Sequence, residues 1–270
     1  MLRPMMLALA IAVTCSGAVA ASPAPATAPA AAAAAIPSAG ELINESGRLR
    51  MLTERMGKAY AQIALNVMPD RAREQLAQSQ KRFEENLVFV GRGTTTPELK
   101  KALEAVKATY MQYAVVLAKP ADKTHVAEAH RLTDKLVSEA ENLTAAFQGQ
   151  AAVSTAKIVN VSGRQRMLSQ RLARMYFAAA LGLPKGDMEK FRGEFQSALT
   201  MLESAPLTSV EIKREIDLAK TQWLFVEQAL QGKGDAIDNL KNVATTSERL
   251  LETMDNLTSL YSKALKALTG

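Results

Sequence analysis

The sequence INESGRLRMLTERMGKAY at residues 43–60 returns as VNVSGRQRMLSQRLARMY at residues 159–176, 116 positions later. The two stretches are identical at nine of eighteen aligned positions, whereas ordinary composition would give about one match by chance. Weaker matches continue at nearly the same offset as far as Asn142 and its counterpart Asn256. The chain is therefore a tandem duplication of one unit.

Each unit has the pattern of four helices. Apolar and small residues step by four and three along residues 42–67, which places one stripe on one face of a packed helix. Proline and glycine then divide the chain into segments. The predicted helices cover residues 40–68, 70–91, 97–118 and 122–148, then 152–182, 186–204, 208–231 and 235–267.

Short connections between long helices favour antiparallel neighbours. The sequence therefore predicts an all-α protein made of two tandem antiparallel four-helix bundles, one at residues 39–150 and one at residues 151–270. The junction between them contains Gly149 but no proline. This composition leaves open whether helices four and five form one continuous rod or meet at a hinge.

The N-terminus has the features of an export signal. A basic start, an apolar stretch at residues 5–13 and the small residues at 18–20 predict a signal peptide at residues 1–20, cleaved after Ala20. The alanine- and proline-rich residues 21–38 then form a tether. We expect a periplasmic protein, with membrane anchoring by an uncleaved signal as the alternative. Cleavage would also remove Cys15, the single cysteine.

Composition excludes several classes of protein. With 48% hydrophobic residues the chain can build a core, and a net charge of +6 over 270 residues is too small for a dedicated nucleic-acid binder. We find no phosphate-binding loop, nucleophile elbow or metalloprotease motif, so we expect no enzyme, no cofactor and no metal site. His125 and His130 are five residues apart and are expected at the surface.

The duplicated first helix carries more than packing residues. Gly47 and Arg50, repeated as Gly163 and Arg166, lie on a stripe of mostly small side chains that allows another helix to come close. An arginine on such a stripe loses water, and an anion would compensate for this loss. The alternative is ordinary pairing of each arginine with a glutamate across a bundle face.

The pattern I-N-x-[SA]-G-R-x-R-M-L-[ST]-Q-R resembles the N-terminal sensory domain of type IV pili methyl-accepting chemotaxis transducers, the PilJ-like family. It is also similar to the periplasmic domain of NarX-type nitrate/nitrite sensor kinases. In the nitrate sensors, an arginine and a glycine backbone of this helix hold nitrate between two subunits. The resemblance implies a small-anion site at Arg50, Arg166, Gly47 and Gly163. Two neighbouring cations, Arg48 and Arg164, are further candidates for this site.

One position departs from the nitrate sensors. They have a lysine after the asparagine of the motif, whereas this chain has Glu45 in the first copy and Val161 in the second. The loss of a cation lowers the expected affinity for nitrate itself. The sequence therefore leaves the identity of the anion open.

A duplicated unit suggests that one chain supplies both halves of such a site. If the first and fifth helices pack through Gly47 and Gly163, Arg50 and Arg166 come face to face. Two guanidinium groups repel each other, so this arrangement needs an anion or acidic side chains nearby. Glu54 is a candidate for that internal anion.

The remaining motif residues are assigned ordinary structural roles. We expect Met51, Met167, Tyr110 and Trp223 to pack in the core. We expect four further cations to lie on solvated faces, or to cover apolar surface with their stems while their charged ends reach water, namely Arg55, Arg171, Lys58 and Arg174.

Together these features predict an exported sensory or binding protein. It would recognise a small inorganic anion, nitrate-like by resemblance, and signal to a membrane-bound receptor or envelope protein, with a homo-oligomer as one arrangement. The alternative is a structural or interaction protein of the envelope whose helical bundles bind no small ligand.

Overall fold

The computed structural model describes residues 37–151, 155–232 and 235–269. These residues form eight helices and no strand. The helices are α1 (Ala39–Ala64), α2 (Pro69–Gly91), α3 (Pro97–Leu117), α4 (Lys123–Gln150), α5 (Ala156–Ala180), α6 (Met188–Glu203), α7 (Val210–Leu230) and α8 (Ala236–Thr269). The predicted signal peptide and almost the whole tether lie outside the described residues.

Capping residues explain where several helices begin. Ser38 accepts a hydrogen bond from the backbone of Glu41, and the Glu41 side chain accepts one from Ser38 in return, which forms a capping box at α1. Thr96 and Asp122 each make a simpler cap, at α3 and α4, in which the side-chain oxygen accepts one hydrogen bond from a backbone N–H. Proline occupies the first turn of α2 and of α3, where no intrahelical N–H is needed.

Each repeat closes into its own four-helix bundle. In the first repeat α1 packs against α2 and α4, and α3 packs against α4 and α2. The second repeat has the same arrangement, with α5 in the place of α1 and α8 in the place of α4. The prediction of an all-α protein with two tandem four-helix bundles is therefore confirmed.

Equivalent aromatic stacks bridge the outer helices of the two bundles. The rings of Phe83 and Tyr110 lie 4.3 Å apart between α2 and α3, and those of Phe195 and Trp223 also lie 4.3 Å apart between α6 and α7. Tyr110 and Trp223 are both buried. Their expected role in the core is confirmed, and so is that of the buried Met51 and Met167.

The two bundles are joined through their first helices. Helix α1 packs along α5, and all described helices belong to one compact unit. Of the 26 residues of α1, 19 are buried, more than one amphipathic stripe would account for. Helices α1 and α5 therefore form the shared centre of the molecule, and their polar motif residues lie inside it.

Helices four and five do not form one rod. Helix α4 ends at Gln150, and α5 begins at Ala156. Gly149 is therefore still helical, and the chain leaves the helix at Ala151, which has an extended backbone. Among the described helices, none combines the length and the apolar character needed to cross a membrane.

Candidate functional site

The centre of the α1–α5 contact is built around Gly47 and Gly163. A Cβ atom added to Gly47 would lie 2.8 Å from Arg50 Nη2 and 3.7 Å from Arg166 Nη2. A Cβ added to Gly163 would lie 3.2 Å from Arg166 Nη2 and 3.6 Å from Arg50 Nη2. The first pair of distances limits the separation of the two nitrogens to about 6.5 Å at most. The two arginines predicted to meet are therefore neighbours within one chain.

Arg50 is fully buried and uses all three of its nitrogens. Nη1 pairs with Glu141 on α4, and Nη2 donates to Asn160 Oδ1 on α5 at 2.8 Å. Nε donates to the Gly47 carbonyl oxygen at 3.4 Å. Because Asn160 belongs to the second repeat, Arg50 connects the two bundles.

Arg166 is equally buried and less completely bonded. Nη1 donates to Asp255 Oδ1 at 2.7 Å, and Nη2 donates to the Asn44 carbonyl oxygen at 3.0 Å. Its Nε has no hydrogen-bond partner among the described residues. Burial, together with the nearby charge of Arg48, lowers the pKa of Arg166 to about 10, although Asp255 opposes this shift.

The other two candidate arginines join the site from opposite sides. Arg164 Nη1 donates to Glu141 at 3.0 Å, and Arg48 Nη1 lies 2.7 Å from Asp255. Glu141 thus pairs with both Arg50 and Arg164. Asp255 pairs with both Arg166 and Arg48. Each carboxylate therefore binds one arginine from its own repeat and one from the other.

These arginines keep both carboxylates ionised. Burial alone would raise the pKa of Asp255, but Arg166 and Arg48 outweigh it and lower the pKa to about 2. The pKa of Glu141 is lowered for the same reason by Arg50 and Arg164. We refer to the four candidate arginines together with Glu141 and Asp255 as the arginine cluster.

Glu54 does not lie between Arg50 and Arg166, so its predicted role as their internal anion is wrong. It is fully buried and accepts from Arg171 Nε at 2.6 Å and from Arg174 Nε. Glu54 is one helical turn beyond Arg50 on α1, which places its carboxylate opposite the next turn of α5. Glu141 and Asp255, from α4 and α8, supply the negative charge instead.

The expectation that four cations lie on solvated faces is also wrong. Lys58 and Arg174 are buried, and Arg55 and Arg171 are mostly covered. Arg55 and Lys58 both pair with Glu248 on α8. The recurrence of a cation at both positions in both repeats was the signal that could have identified them as buried.

The expectation that His130 lies at the surface is also corrected. It is half-buried, and its Nδ1 lies 2.6 Å from Arg174 Nη1. Burial and the charge of Arg174 lower the pKa of His130, although Asp134 opposes this shift. His125 is also half-buried and lies at the N-terminus of α4, where it pairs with Asp122. The described residues contain no group of three or more His, Cys, Asp or Glu side chains placed to hold a metal ion.

Comparison with protein families identifies the repeat. The model of the type IV pili methyl-accepting chemotaxis transducer N-terminal domain matches residues 32–141 and again residues 149–249. The chain belongs to this family. The two matches correspond to the two repeats, and together they cover more than half of the chain. No curated protein and no solved structure matches it.

Membership of this family gives a general function. These domains are the sensory, non-catalytic part of chemotaxis transducers. The chain therefore carries two sensory domains in tandem, packed on each other through α1 and α5.

Proposed function

We propose that this protein is an exported sensory module that binds one small oxyanion between α1 and α5 and signals to a membrane-bound partner. The observation that carries the proposal is the position of Arg50 and Arg166. Both guanidinium groups are fully buried, and their Nη2 atoms lie within about 6.5 Å of each other beside two glycines. A single small anion between them would contact both.

Arg166 has unused capacity for such a ligand. Its Nε is a buried donor without a partner in the described structure. A buried unsatisfied donor costs about 1–3 kcal/mol, and an oxyanion would satisfy it. An anion would also offset the burial and the repulsion from Arg48 that lower the pKa of Arg166.

Binding would act through Glu141 and Asp255. Their side chains are about one-third exposed, so they can exchange bonds to arginine for bonds to water more easily than a buried carboxylate. An oxyanion that takes over part of their hydrogen bonding would loosen the attachment of α4 and α8 to the central helices. A change in the position of these two helices is the proposed signal.

The choice of ligand rests on resemblance. Planar oxyanions such as nitrate match the fork of a guanidinium group, and the nitrate sensors use the equivalent arginine and glycine. Export to the periplasm, by cleavage after Ala20, would place the site where such ions enter the cell. Mass spectrometry of the protein purified from the periplasm should then show a chain that begins at Ala21.

Calorimetric titration with nitrate, nitrite and chloride tests the proposal. We expect nitrate or nitrite to bind, and Arg50→Ala and Arg166→Ala each to abolish binding. Arg73→Ala is the matched control because Arg73 is exposed and pairs with Asp70 on the surface of α2. If the control loses affinity as the two variants do, or if no oxyanion binds, the proposed site is wrong.

One observation favours the alternative of an envelope interaction protein. Four arginines of the cluster meet four carboxylates, those of Glu45, Glu141, Glu194 and Asp255, so the region is already neutral. On this view the cluster joins the two bundles, and the outer helices bind a protein partner. Unchanged thermal stability in the presence of high nitrate would favour this alternative.

A further inference from the structure

A groove lies between α1, α2 and α8, and Arg48 and Asp255 of the arginine cluster form part of its wall. It encloses about 660 Å³, which is within the range of small-molecule sites. Leu52 and Leu251 contribute apolar surface to it. Arg71, Lys81 and Arg249 also line the groove, and none of them has a carboxylate partner in the described part of the chain.

The second repeat has an equivalent groove between α4, α5 and α6, of about 510 Å³. There, Arg171 and Arg174 are matched by two carboxylates, Glu54 and Asp134. Two cations thus meet two anions beside this second groove.

The balance of charge beside the first groove differs from that beside the second groove. The equivalent cations, Arg55 and Lys58, share the single carboxylate of Glu248. Gln170 occupies the position that is equivalent to Glu54 and carries no charge. Burial lowers the pKa of Lys58, and the charges of Arg55 and Arg71 add to this, although Glu248 opposes it. Six cationic side chains and four carboxylates line the first groove in all, so its wall carries an excess of positive charge.

Helices α2 and α6, which contribute to the two grooves, differ in charge at two aligned positions. When Phe83 is aligned with Phe195, Arg82 and Lys81 of the first groove occupy the positions of Glu194 and Gly193. In the second repeat, Glu194 pairs with Arg164. Lys81 and Arg82 therefore add positive charge to the wall of the first groove, whereas the cation that α6 gives to the second groove is Lys190.

We propose that the groove between α1, α2 and α8 binds a small anion with two or more negative charges, a phosphate or a polycarboxylate. Arg71, Lys81 and Arg249 would donate charge-assisted hydrogen bonds to it. The ligand would supply the negative charge that Glu54 supplies in the second repeat. The groove is larger than nitrate needs, and its wall includes neither Arg50 nor Arg166, although it shares Asp255 with the arginine cluster.

Four carboxylates line this groove, those of Glu85, Glu248, Glu252 and Asp255, and two of them show which sign of charge the ligand carries. Glu85 pairs with Arg82 at 3.4 Å, whereas Glu252 has no ion-pair partner in the described structure. Removing the charge of Glu252 should therefore strengthen the binding of an anion, and removing the charge of Arg249 should weaken it. A purely structural role for these exposed residues predicts neither effect.

The experiment is calorimetric titration of the full protein with inorganic pyrophosphate and with citrate at constant ionic strength. We expect one site, with Lys81→Ala and Arg249→Ala each weakening binding about tenfold and Glu252→Gln strengthening it. Binding of pyrophosphate alone would identify a phosphate ligand, and binding of citrate alone a polycarboxylate.

Two controls separate this site from general attraction and from the arginine pair. Lys101→Ala removes an exposed cation from α3 and should leave the affinity unchanged. Arg50→Ala should remove nitrate binding but keep pyrophosphate or citrate binding, because Arg50 pairs with Glu141, which lies outside the groove. If neither probe binds, or if Lys101→Ala weakens binding as much as Lys81→Ala, the groove is not an anion site.

Discussion

Replacing Glu54 with Gln should test whether the buried charges between the repeats stabilise the fold. Glu54 is fully buried and is the carboxylate shared by Arg171 and Arg174. The substitution keeps the size of the side chain and removes its charge, which leaves two poorly hydrated cations close together. Loss of one partner of a buried ion pair costs about 3–5 kcal/mol.

The structure places the expected cost at the lower end of that range. Arg174 keeps its bond to Asp134, and Arg171 keeps its contact with the ring of Phe191 at 4.8 Å. The amide oxygen of Gln can still accept one hydrogen bond. We therefore expect the free energy of unfolding to fall by about 3 kcal/mol, measured by urea denaturation followed by circular dichroism.

Glu203→Gln provides the matched control. Glu203 also pairs with two cations, Lys213 and Lys220, but these pairs lie at the surface. Surface ion pairs contribute little to stability, so this variant should unfold close to the wild-type midpoint. Equal losses in the two variants would refute the argument that burial of Glu54 makes its charge important.

Two further predictions concern the core and acid stability. Trp223→Ala should lower the free energy of unfolding by about 3–5 kcal/mol, because Trp223 is buried and stacks on Phe195; an unchanged urea midpoint would contradict its assignment to the core. The pKa of Glu248 is lowered from 4.5 to about 2 by Lys58 and Arg55 against the opposing effect of burial. Glu248 should therefore contribute about 3 kcal/mol to the free energy of unfolding above pH 4.5, and this contribution should be lost as the pH falls to 2. In the Glu248→Gln variant, the free energy of unfolding should fall less steeply with decreasing pH.

Much of the fold could be predicted from local sequence signals. Proline and glycine mark the helix ends, because proline lacks a backbone N–H and glycine readily adopts a left-handed backbone. Neither property depends on the rest of the fold. For example, Pro97 begins α3, and the predicted segment 97–118 differs from that helix by one residue at its C-terminus. The duplication then predicts the second bundle from the first.

The partners of the charged residues could not be predicted in this way. Arg48 and Asp255 are 207 positions apart, and nothing in the spacing along α1 indicates that α8 lies opposite. The burial of Lys58 cannot be predicted for the same reason, since α1 is covered on several sides and a polar position on it need not face water. The stripe of small residues did predict the α1–α5 contact, because small side chains on one face of a helix allow a second helix to come close.

We propose above that one chain builds one anion site from both of its repeats. The direct measurement is the number of nitrate ions bound at saturation, by calorimetry on protein whose oligomeric state is fixed by light scattering. We expect one ion per chain, whether the protein is a monomer or an oligomer. One ion per two chains would instead place the site between subunits, and two ions per chain would mean that each repeat binds nitrate independently of the α1–α5 contact.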